Sequence, residues 1–222
     1  MTHRRWLRFA AEGVEGVVVL LLVLGTWPVS RRWLRNWGST VAERERVWSG
    51  DAFVATPHEA YTRAVDVAAS VDAVWRWVVQ FGLGRAGFYS YELLERLVGI
   101  PVRNVERIVP EYQSLRVGDE IKLHPQAPGI PVAAVARGKH ICFGRLGDGP
   151  EATPAEPRRS WSIYLESQTA GSCRLLLRGC IEPLRRRTWL RRLGMALEAP
   201  IDFVMEQRML RTVRRLAEAH GP

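Results

Sequence analysis

Only three of the 222 residues are cysteine, at positions 142, 173 and 180. Three thiols cannot build a disulfide scaffold, and none stands at the CxxC spacing of a zinc site. Lysine is as scarce, with two residues against 30 arginines and 23 acidic groups. The five histidines, at 3, 58, 124, 140 and 220, are scattered. None has a cysteine or carboxylate at ligand spacing, so neither a metal nor a cofactor is expected. HExxH, GxSxG and the P-loop are all missing, which removes the corresponding routes to catalysis. There is no internal repeat, and the length suits one ordinary domain plus an appendage.

The formal charge is +9, but it is not spread along the chain. Residues 1–40 hold six arginines and two glutamates, net +4, and residues 183–222 hold nine arginines and four acids, net +5. The 142 residues between them hold 17 basic and 17 acidic groups. A neutral body with basic ends, and few aromatics among the arginines, does not make a nucleic-acid face. Apolar residues at 47% and charged residues at 25% are the profile of a globular chain.

Residues 16–29 form an apolar run, about 21 Å long as a helix, and extension back to Phe9 brings it to about 31 Å at the cost of including Glu12 and Glu15. Trp6 precedes this stretch, and Trp27, Trp33 and Trp37 stand at or beyond its far end. Arg4, Arg5 and Arg8 flank one side and Arg31, Arg32 and Arg35 the other. Interfacial tryptophan with flanking arginine is what a membrane anchor shows. A cleaved signal peptide would need a small-x-small site after Val29, where Ser30-Arg-Arg-Trp stands instead. The other competing reading is an interfacial or core helix, and against a core helix no polar face is visible between Gly16 and Leu24. The reading is a single membrane-spanning helix over about 9–29 within an N-terminal segment 1–37. A linker (38–59) and a domain (60–222) follow. Arg44 and Arg46 add downstream basic charge and place the main domain on the cytoplasmic side.

Beyond the linker, Tyr61–Val67 alternates as a strand, and Ser70 caps a helix with Val71, Val74, Trp75, Val78 and Phe81 on one face. Gly82-Leu-Gly84-Arg-Ala-Gly87 matches GxGxxG but follows a helix rather than a strand, so it reads as a helix terminator and turn, not a nucleotide loop. Tyr91–Val98 is a second short helix. Strands follow over 120–124, 132–136, 140–145, 160–167 and 173–182, with a loop over 147–159. A last helix begins at Pro200, with Ile201, Met205, Met209 and Val213 expected to face a sheet. Helices followed by antiparallel strands and one long helix argue an α+β fold. Arg185, Arg186, Arg187, Trp189, Arg191 and Arg192 lie in a basic amphipathic stretch suited to an anionic membrane surface.

ASVDAVWRWVVQFG (69–82), GRAGFYSYELLERLVG (84–99), RIVPEYQSLRVGDEIKL (107–123), SWSIYLE (160–166) and EAPIDFVMEQRMLRTVRRLAE (198–218) together resemble the SRPBCC superfamily over residues 61–219. That superfamily includes the START lipid-transfer domains, the birch pollen allergen family and the polyketide cyclase/dehydrase group. With the N-terminal run, the chain looks like a membrane-anchored bacterial branch of it. The resemblance implies a helix-grip fold, a curved antiparallel sheet wrapped around a long C-terminal helix with an apolar cavity between. Its expected ligand is an apolar small molecule or lipid. Tyr89, Tyr91, Trp161, Met205 and Met209 are the candidate ligand-binding residues, with Trp161 and Tyr164 on opposite faces of their strand. An enzyme of the cyclase/dehydrase type, using Tyr89, Glu92 or Arg85 on protons, is the alternative. An interaction module with a solid core is the third.

Overall fold

A computed structural model of the chain describes residues 3–54, 56–144, 159–182 and 189–220, with side chains at all of these except 3–5, 189–193 and 195–196. Helix α1 (His3–Arg35) leads into a short α2 (Val41–Glu45) and a 3-10 turn (Ser49–Phe53). Strand β1 (Glu59–Val67) precedes α3 (Val71–Val78) and α4 (Glu92–Leu97). Strands β2 (Glu120–Ile121), β3 (Ile130–Ala136), β4 (His140–Phe143), β5 (Arg159–Thr169) and β6 (Ser172–Ile181) precede α5 (Trp189–Ala219). The strands form one antiparallel sheet in the order β1-β6-β5-β4-β3-β2, so the first strand closes against the last. With α5 laid across one face, this is the α+β helix-grip arrangement.

Side-chain alternation gives the sheet two different faces. On the inner face Ile163 pairs with Leu177 and Leu165 with Leu175. These pack with Val74, Trp77 and Val78 of α3 and with Met209, Leu210, Val213 and Leu216 of α5 in the main core. Helix α3 starts where Ser70 caps it, its hydroxyl accepting the Ala73 N–H at 3.3 Å. Past its end, Gly82 and Gly87, at φ 133° and 89°, exchange two backbone hydrogen bonds of 3.0 and 3.1 Å. The GxGxxG stretch is therefore a tight turn, as its position after a helix implied.

Three expectations are corrected. No helix among the described residues is long and apolar enough to cross a membrane, so the single-pass placement with a cytoplasmic main domain does not stand. The stretch between Glu15 and Arg31 is only about 22 Å of helix. One side of α1 is also occupied by protein. Glu12 and Glu15 pair with Arg208 of α5 at 3.2 and 3.5 Å, and the Tyr91 hydroxyl donates to Glu15 at 3.0 Å. Val23 and Leu34 are buried with Phe203 and Val204 of α5. A Cβ on Gly16 would stand 2.8 Å from the Tyr91 ring, so glycine is what lets α4 approach.

Residues 38–54, read as linker, instead form a strap over the outer face of the sheet. Glu43 pairs with Arg174 at 2.7 Å, Asp51 with Arg178 at 2.7 Å, and Trp48 lies on Tyr164 with ring centroids 4.4 Å apart. Those two arginines project from the face of β6 opposite α5 and need acidic partners once covered. Helix α5, finally, runs through Pro200 rather than starting there. Of the four residues expected on the sheet, Met209 and Val213 are in the main core. Met205 packs in the α1–α5 cluster, and Ile201 is 38% exposed. The second face of α5 is taken by α1, a partner that a membrane-spanning reading had removed from the domain.

Candidate functional site

Two places bring polar chemistry together. The first is buried between α5 and the inner face of the sheet. Glu206 accepts from the Tyr61 hydroxyl at 2.8 Å and from the Trp161 indole N–H at 2.8 Å, and it forms an ion pair with Arg63. Arg63 is 1% exposed, so Glu206 compensates a charge that has lost its water. One turn back along α5, Asp202 makes no hydrogen bond or ion pair among the described residues. Another turn back, Glu198 pairs with Arg159. Asp202 lines a pocket of about 30 Å³ with Arg35, Glu59, Tyr61, Arg63 and Glu198. Burial, then the nearby Glu198 carboxylate, push its carboxyl up to about 7, against the pull of Arg63 and Arg159. A group of that value can take or give a proton near neutral pH. The volume is that of about one water, far below a ligand cavity. The apolar cavity expected between sheet and helix is thus reduced at this place to a small polar pocket.

The second place is a groove of about 740 Å³ on the outer side, between the strap, the start of α3 and the β3–β4 turn. Tyr164 and His140 lie in its lining, with ring centroids 5.9 Å apart. Trp48, Val47 and Arg46 form one wall, with the Arg46 guanidinium 4.3 Å from the Trp48 ring centroid. Val71, Ser70 and Asp72 form the other. The Tyr164 hydroxyl accepts the Gly50 N–H at 2.8 Å, and Ser49 and Cys142 stand 3.4 and 3.7 Å from it. Burial pushes Tyr164 up to about 12, so it stays protonated. Burial, then the adjacent Lys139, push His140 below its ordinary value, so it is neutral at pH 7. Arg46 pairs with Glu166 across the groove, and Lys139 and Asp72 balance each other in sign.

The five sequence-derived ligand residues are not brought to one cavity. Tyr89 is 1% exposed, receives a hydrogen bond from Gln80 at 2.7 Å and donates to the Trp77 carbonyl at 3.2 Å. Trp161 does face α5, with Tyr164 on the opposite face, as alternation required. Met209 is core. Tyr91 and Met205 belong to the α1 interface. The proposed proton-handling groups are engaged as well. Glu92 accepts from Asn104 N–H at 2.7 Å and from Arg96, and Arg85 donates to the Val79 and Tyr112 carbonyls at 3.0 Å each. Arg185, Arg186 and Arg187 lie outside the described residues, as do the side chains of Trp189, Arg191 and Arg192. Sequence reasoning missed Asp202 and Glu206, although they follow Glu198 at four-residue spacing, which places all three on one side of a helix.

No protein-family model matches the chain, and no curated protein matches it. Solved structures do. Protein NE0264 from Nitrosomonas europaea is 16% identical with a TM-score of 0.40, covering 74% of this chain and 99% of its own. The Zhui aromatase/cyclase from Streptomyces sp. R1128 is 15% identical with a TM-score of 0.37, covering 74% and 99%. PFC0360w, an HSP90 activator from Plasmodium falciparum, is 13% identical with a TM-score of 0.35, covering 61% and 84%. None shares enough sequence to carry a site over to this chain.

Proposed function

We propose that the chain is a binding domain for a neutral, amphipathic small molecule that lies in the outer groove. The observation that carries this is the groove itself. Its volume of about 740 Å³ lies within the usual ligand-site range of roughly 300–1,000 Å³. Trp48, Val47 and Val71 offer apolar contact, and His140 and Lys139 offer convergent polar groups. Because the ionised side chains cancel, a ligand of strong net charge gains nothing there. Nile red, a neutral apolar dye, is expected to bind the full chain saturably at one equivalent. Val47→Trp, at an exposed position on the groove wall, places a bulky ring in the groove and should abolish that binding while leaving the melting temperature nearly unchanged. Saturable binding that survives this substitution would move the ligand elsewhere.

A second reading is favoured by one specific observation, the unbonded Asp202 with its value near 7. In that reading the domain is an enzyme in which Asp202 exchanges a proton with a substrate entering between β1 and α5. Glu206 and Arg63 are then structural, because each satisfies the other. Nile red binding separates the two readings, since Asp202→Asn should leave it intact.

A further inference from the structure

The side of α1 that faces away from the domain is apolar. Leu7, Val14, Val18, Leu21, Leu22 and Val29 are between 48% and 88% exposed. At about 100° per residue they fall on one side of the helix, opposite Gly16, Val23 and Leu34, which meet α4 and α5. Trp6 and Trp33, 57% and 63% exposed, stand near the two ends. Exposed Arg8 lies beside the first and exposed Arg31 and Arg32 beside the second. The only acidic residues of α1, Glu12 and Glu15, are engaged by Arg208. Contiguous apolar surface of this extent is rare on a monomer unless something covers it.

We propose that this face of α1 lies in the plane of an anionic lipid surface. The apolar stripe sinks into the boundary between headgroups and acyl chains, the tryptophans sit at headgroup level, and the arginines meet lipid phosphates. The helix does not cross the bilayer, because its other side is bonded to the domain. A second copy of the chain fits less well. Both ends of the stripe are basic, so parallel and antiparallel pairing alike bring arginine against arginine.

The test uses the full chain with vesicles of phosphatidylcholine alone or mixed with phosphatidylglycerol. Sedimentation with the mixed vesicles at low salt should be about tenfold tighter than with phosphatidylcholine alone. Alkaline carbonate should release the protein. Leu21→Ser with Leu22→Ser should weaken binding to both vesicle types by about a hundredfold. The melting temperature should stay put, because neither side chain is packed. Arg31→Gln with Arg32→Gln should reduce only the preference for phosphatidylglycerol. The proposal is overturned by any of four results: no binding to either lipid, undiminished binding by the double-serine variant, resistance to carbonate, or a solution dimer that the serine pair dissolves.

Discussion

At the residue scale, the sheet–α5 interface shows how the same side-chain type takes opposite roles. Glu206 has three donors and neutralises Arg63, whereas Asp202, one turn away, has none among the described residues. Burial holds the Asp202 carboxyl at about 7 against an ordinary 3.8. Between those two pH values the folded chain keeps a proton that the unfolded chain has released. Stability contributed by this group is therefore fully present below about pH 4 and is lost as pH rises to about 7. Asp202→Asn removes that dependence. We expect it to stabilise the protein by roughly 2 kcal/mol at pH 8 and to have little effect at pH 4. Thermal melts of both proteins across this range check it, and a variant less stable at pH 8 would show that the carboxylate has a partner when ionised.

At the scale of elements, α1 is held by close approach more than by volume. Gly13 and Gly16 bring its backbone against Leu93 and the Tyr91 ring. A side chain at position 16 must displace a ring that is 4% exposed and carries a hydrogen bond to Glu15. Gly16→Val is expected to cost about 1–3 kcal/mol through overpacking. The loss should appear as faster amide exchange in α4 and the first half of α1, with the strands unaffected. Uniform loss of protection would instead mean that α1 and the sheet open as one unit. The strap has a different attachment. Burial disfavours the Asp51 and Glu43 carboxylates, but hydrogen bonds from Arg178 and Arg174, respectively, outweigh it and hold both below their ordinary values.

At the scale of the whole molecule, α1 is a structural layer of the domain. Its Leu34 carbonyl accepts from Arg63, and the Trp37 carbonyl accepts the Ala64 N–H at 3.0 Å. Removing residues 1–37 should uncover Phe203, Val204 and Tyr91 together. The fragment 38–222 is then expected to melt at least about 10 °C below the full chain and to aggregate as it does so. An equally stable fragment would show that α1 is a detachable appendage. By itself the sequence determined what depends on neighbours a few residues apart. The Ser70 cap, the glycine turn at 82–87, the alternation of β5 and β6 and the α+β class all follow from local patterns. It also placed Trp161 and Tyr164 on opposite faces. The tertiary structure decided which surface covers each face, because periodicity records that a face is apolar but not what meets it. Arg63 finds Glu206 143 positions away, and Arg174 and Arg178 find Glu43 and Asp51 131 and 127 positions away. These long-range pairings turned a supposed linker into a strap and a supposed membrane span into a packed helix. They also put a lone carboxylate where an apolar cavity was expected.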